Sequence, residues 1–171
     1  MKAALLCFAL GCLAAPAVPG SENAPVIVVK TQVTPQTPNP QLLVRLKNQS
    51  TKAVEAISVV VEYFDERGDS RGTVTLSECA DMLANSQLAG PGAEWELNPS
   101  QLPPGAEPGR GSYRARIDFV RFRDGTEWGP DEAKESLRFT GIRSGVAATR
   151  QYLKMLLRQR GVEAVIQELE R

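Results

Sequence analysis

Apolar and polar side chains alternate strictly over Leu42–Lys47. Leu42, Val44 and Leu46 face one way, and Arg45 and Lys47 the other. A period of two marks a strand buried on one side. Val54–Phe64 extends the pattern, with Ile57, Val59, Val61 and Tyr63 on one face. Its other face, Ser58, Val60, Glu62 and Phe64, is less polar than a solvated face requires, which predicts a cover over that side. Val26–Val33 is a β-branched run, Gly72–Ser77 a short pairing partner, and Tyr113–Arg123 a strand with Arg114, Arg116, Arg121 and Arg123 interleaved. Polar turns at Asn48–Lys52 and Asp65–Asp69 separate these runs. Asp124-Gly125 predicts a two-residue hairpin returning as Thr126–Trp128, ended by Gly129-Pro130. At least six short, mostly antiparallel strands predict a β-sandwich of two packed sheets.

The breaks are equally legible. Thr34–Pro40 holds three prolines and reads as a loop. Glu78–Gln87 fits a short helix or an irregular excursion. Leu88–Ser112, rich in proline and glycine, predicts a long surface connection with a short strand at Glu94–Leu97. Asp131–Phe139 reads as a short helix or connector that Gly141 breaks. Ser144 then caps a helix over about Gly145–Arg160. Gly161 interrupts it, and Val162–Glu170 continues as a second helix with Val162, Val165, Ile166 and Leu169 on one stripe. On the first tail helix Val146, Leu153, Leu156 and Leu157 share an apolar arc. Arg150, Lys154 and Arg158 lie beside it at i, i+4 and i+8.

The N-terminus changes the picture of where such a protein works. Lys2, the apolar run Ala3–Leu13 and the small residues Ala15-Pro16-Ala17 have the layout of a secretory signal over residues 1–17. The expected organisation is therefore a signal at 1–17, a sandwich at 18–140 with its long loop at 88–112, and a helical tail at 141–171. The expected location is periplasmic or secreted. Ala9-Leu10-Gly11-Cys12 partly resembles a lipobox, so membrane contact is expected only if Cys12 is lipidated.

Charge and composition narrow the chemistry. The chain has 20 basic and 20 acidic residues, and losing Lys2 with the signal leaves a net charge near −1. Nothing in that balance draws the chain to nucleic acid. The absence of histidine removes the commonest general base and metal ligand. Cys79 is the one cysteine outside the signal, and its neighbours Glu78 and Asp81 raise a thiol pKa, so a buried packing role is expected. Asp65, Glu66 and Asp69 offer carboxylate oxygens to calcium but lack the alternation of a dedicated loop, and a solvated turn accounts for them. Asp124 and Glu127 are paired carboxylates near a hairpin tip, and Trp95 and Trp128 are candidates for a sugar platform. Those four residues define the alternative of a hydrolase or carbohydrate-binding accessory domain. No cofactor is expected. Gly141–Arg160 holds five basic residues and no acidic one. Arg150, Lys154 and Arg158 are thus the candidate contact with an acidic partner, unless the stripe is a solvated edge favoured by the helix C-terminus.

Lys47-Asn48-Gln49-Ser50-Thr51-Lys52-Ala53-Val54 leads into a strand closing in Tyr63-Phe64-Asp65-Glu66-Arg67-Gly68. This resembles the small immunoglobulin-like domains of exported bacterial proteins, including the FxLYD type, over about residues 26–77. In those domains an Asn-x-Ser turn precedes a strand ending in an aromatic, an Asp and a Gly. The resemblance implies an immunoglobulin-like antiparallel β-sandwich reused as a non-enzymatic module. Combined with the amphipathic C-terminal helical extension, it gives the expectation of a binding or assembly module with a protein partner in the cell envelope or outside the cell.

Overall fold

The computed structural model describes residues 24–34, 40–81, 86–103, 105–107 and 109–170. The expected signal, the lipobox cysteine, most of the proline loop after Thr34 and part of the Glu78–Gln87 segment lie outside the described residues.

The chain is mainly β, in two antiparallel sheets followed by C-terminal helices. In chain order the strands are β1 (Val26–Thr34), β2 (Gln41–Asn48), β3 (Val54–Phe64), β4 (Ser70–Cys79), β5 (Glu94–Glu96), β6 (Ser100–Gln101), β7 (Ser112–Phe122) and β8 (Glu127–Trp128). One sheet runs β1-β2-β5, with β6 also on β2, and the other runs β4-β3-β7-β8. The alternating faces meet in a common core. Val26, Leu42, Val44 and Leu46 from the first sheet pack with Val54, Ile57, Val59, Val61, Val120 and Phe122 from the second. Burying such side chains stabilises by about 1.5–3 kcal/mol each. On the outer side of β2, Arg45 pairs with Glu96 at 2.7 Å and Lys47 with Glu94 at 3.2 Å, each directly across the ladder.

The Asn48–Lys52 turn bonds to its own backbone as expected. Asn48 Oδ1 accepts from the Ser50 N–H at 3.0 Å, while its Nδ2 donates to Lys52 O at 2.7 Å and Gly90 O at 2.9 Å. Asn48 is fully buried, so it pins the start of the long connection to the sheets. The described part of that connection up to Gln101 is tied to the sheets. The Leu88 N–H donates to Val54 O at 2.9 Å, the Leu97 N–H donates to Val44 O at 3.0 Å, and β5 and β6 edge the first sheet.

Two bulges decide which side chains leave the core. Along the β3–β7 ladder Val59 faces Ile117 but Ser58 faces Phe119, so Asp118 is the extra residue. Val54 faces Phe122 but Ala56 faces Arg121, so Glu55 is extra on β3. A bulge shifts the parity of a strand. Ile117 accordingly packs inward and Phe119 outward, with Ala56 beside it on the outer face.

The helical region corrects the expected boundaries. One helix, α1 (Glu135–Arg160), passes through Gly141 and Gly145, and α2 (Val162–Leu169) follows across Gly161. Ser144 caps nothing. The N-cap is Lys134, and the carboxylate of Asp131 accepts from the Ser136 N–H at 3.2 Å and bonds the Ser136 hydroxyl. Two interior glycines cost about 1 kcal/mol each, too little to end a helix anchored at its start.

Candidate interaction surface

The helices form an arm whose root is built on the outer face of β7. The bulge aims the Asp118 carboxylate, fully buried, at the connector between β8 and α1. It accepts from the N–H groups of Glu132 and Ala133 at 3.0 Å each, and the Asp118 carbonyl accepts from the Asp131 N–H at 2.9 Å. This binding holds an unusual backbone. Asp131 and Lys134 have φ of 54° and 56°, where non-glycine residues cost about 1–3 kcal/mol. Gly129, at φ 116°, lies so close to the strand that a Cβ there would stand 2.3 Å from the Asp118 carbonyl oxygen.

Arg121 completes the root. Its buried guanidinium donates to Glu127 Oε1 at 2.6 and 2.8 Å, to Thr140 Oγ1 at 2.8 Å and to the Ser136 carbonyl at 3.2 Å. Phe139, fully buried, stacks on Phe119 with centroids 5.9 Å apart and contacts Ala56, with Cys79 and Ile142 packed around it. The expected cover over the second face of β3 is in part supplied by the first turns of α1, which place Phe139 over Ala56. Neither Asp118 nor Phe139 stands out as a functional residue in the sequence.

Beyond this root the arm departs from the sheets. A helix of 26 residues spans about 39 Å. Its far half and α2 expose large apolar side chains: Tyr152, Met155, Leu157, Val162, Ile166 and Leu169. The apolar stripe expected on α2 is only partly turned inward, since Val165 is half-buried and the other three face solvent. Leu156 is the buried residue of the expected arc on α1. Arg150, Lys154 and Arg158 lie on the exposed surface together with Tyr152 and Met155.

The other sequence candidates are drawn into local structure. Trp95 and Trp128 pack half-buried against the core from edge strands of different sheets. Glu127 serves Arg121, and Asp124 pairs with Lys52 at 2.7 Å, so the two carboxylates point to separate cations. Asp65 accepts from the N–H groups of Arg67 and Asp69 and pairs with Arg71 at 2.7 Å, and the Arg71 bond holds its carboxyl below the usual range. Among the described residues, no group of three or more Cys, Asp or Glu side chains is placed to hold a metal ion. Burial raises the Cys79 thiol pKa, outweighing the opposing charge of Arg138.

The Asp124 carboxyl is held well below its ordinary value of 3.8, first by Lys52 and then by the Thr126 hydroxyl and N–H. A lowered folded-state pKa contributes stability that is present above the unfolded value and lost as pH falls through the folded one. The hairpin tip is therefore expected to hold its ion pair until the pH is far below 4. Lys52→Met should move the carboxyl titration, followed by NMR of the Asp124 side chain, upward towards 3.8. No movement would show that Lys52 does not set it.

Among the described residues, no helix is long and apolar enough to cross a membrane. No family model and no curated protein matches the chain. A crystal structure of a hypothetical protein from Peptoclostridium difficile 630 is similar at 13% identity, with a TM-score of 0.49, covering 68% of this chain and 92% of that one.

Proposed function

We propose that the protein is an exported, non-catalytic assembly module. In this reading an immunoglobulin-like β-sandwich presents a helical arm to a protein partner of the cell envelope. The observation that carries it is the arm itself, held to the sheet at one end through Asp118, Arg121 and Phe139 and exposing large apolar side chains at the other. Large apolar residues gathered on one exposed element mark an interaction surface. Tyr152 and Met155, three apart on α1, share one face with Arg150, Lys154 and Arg158, and such side chains are what an amphipathic helix lays into an apolar groove. Arg150, Lys154 and Arg158 fix the polarity of the partner, whose groove is rimmed by carboxylates. Export is supported by the signal-like layout of residues 1–17, and the sandwich topology by the two antiparallel sheets with a shared core.

The test is capture from envelope extract by the mature chain, alongside the triple variant Arg150→Glu/Lys154→Glu/Arg158→Glu and the single variant Ile166→Asp. All these positions are solvent-exposed, so folding is preserved and checked by circular dichroism. The expected result is one retained protein that both variants lose. Retention unchanged in both would place the contact elsewhere and end this reading.

A further inference from the structure

Charge is divided sharply along the arm. Gly141–Arg160 of α1 holds five basic residues and no acidic one, whereas residues 162–170 hold three acidic residues and no basic one. Each part also carries uncovered apolar side chains. On α1 these include Tyr152 and Met155, which share a face with Lys154 and Arg158. On α2 they are Val162, Ile166 and Leu169, at i, i+4 and i+7 on one stripe of the helix. At about 100° per residue, Glu163 and Glu170 fall together along one margin of that stripe. The two surfaces have the same layout, an apolar strip edged by charge, with opposite signs.

A single chain does not join them. α2 already lies against α1, with Val165 half-buried and Leu156 buried. In that arrangement all five of these apolar side chains are still at least 42% exposed. Among the described residues, Lys154, Arg158, Glu163 and Glu170 form no ion pair within the chain. Two chains can join the surfaces twice, because a two-fold axis that sets one α2 on the other copy's α1 repeats the contact in reverse. The repetition matters for area. A helix of eight residues is about 12 Å long, and one such contact is small beside the roughly 1,200–2,000 Å² that a stable interface buries. The lengths also agree. Glu163 and Glu170 lie about 10.5 Å apart along their helix, within the roughly 12 Å from Arg150 to Arg158.

We propose that the partner of the arm is a second copy of this chain. The α2 stripe of each copy covers Tyr152 and Met155 of the other, while Glu163 and Glu170 meet Lys154 and Arg158. The apolar strips supply the strength of the contact, and the charged margins select the partner and fix its register. This inference rests on the reading of the arm as the docking element and names what docks there: the carboxylates rimming the partner surface are those of α2 in the second copy.

The experiment is sedimentation velocity of the mature chain at about 1 to 100 μM, where the unaltered chain is expected to pass from monomer to dimer. Lys154→Glu/Arg158→Glu and Glu163→Lys/Glu170→Lys each set like charges against each other at both contacts and should weaken the dimer at least about tenfold. All four positions are exposed, so the fold is kept, and circular dichroism checks it. Mixed in equal amounts, the two variants again present opposite charges at both contacts and should dimerise as the unaltered chain does. An unaltered chain that stays monomeric throughout, a variant that dimerises undiminished, or a mixture no better than its components would each overturn the proposal. The envelope capture separates this inference from the reading beneath it. A chain that stays monomeric yet retains a different protein, lost with the arm variants, overturns the dimer and leaves the docking role of the arm standing.

Discussion

Phe139→Ala is expected to lower stability by about 3–5 kcal/mol, the usual cost of emptying a fully buried aromatic site. Ile142 packs beside it, but Phe139 is the fully buried α1 side chain of this cluster, filling the space over Ala56 and against Phe119. Neighbouring Leu137 is strongly exposed and does not share the load. The damage should be local in character. The main core between the sheets lacks Phe139, so the lost energy falls on the junction of arm and body. Urea unfolding measures the loss, and limited proteolysis should show faster cleavage in the 129–134 connector. A change below about 1 kcal/mol would mean the ring anchors nothing.

Asp118→Ala comes next, at about 2–4 kcal/mol. The substitution strands the amides of Glu132 and Ala133, and each orphaned donor costs about 1–3 kcal/mol when water cannot reach it. Both residues lie at an exposed connector, which admits some water and keeps the figure below the full sum. Asp118→Asn separates charge from shape. The amide restores one acceptor but turns its NH2 towards the second N–H, so a substantial part of the loss remains. Hydrogen exchange at Glu132 and Ala133 should quicken in both variants while that of β3 amides stays slow. Equal acceleration throughout would show that the root and the sheets open as one unit.

The strands were readable because their periodicity is the same physics that buries them. β3 spans the expected Val54–Phe64, and Asp124-Gly125 turns β7 back into β8. The bulges left a trace that simple alternation overlooks. Basic residues on β7 sit at even positions through Arg116 and at odd ones from Arg121, a parity change that Asp118 accounts for. Asp118 itself stands between Ile117 and Phe119, a charge within an apolar run, which signals a buried carboxylate with partners. The start of α1 was hidden for a different reason. Glycines at 141 and 145 argue locally for a break, and what outweighs them is Phe139 finding its place on β7, a contact no local pattern contains. The arm's exposed apolar row was masked by its own amphipathic pattern, since periodicity gives a helix a greasy side without saying whether anything covers it.

The narrowness of the arm's attachment has a mechanical meaning. A pull on the far end of the helices is delivered to β7, an interior strand laced to β3 along nearly its whole length. Rows of ladder bonds loaded together resist far better than the few bonds at Asp118, Arg121 and Phe139. Under tension the root behaves as a fuse: it lets the arm swing out and lengthen while the two sheets stay whole.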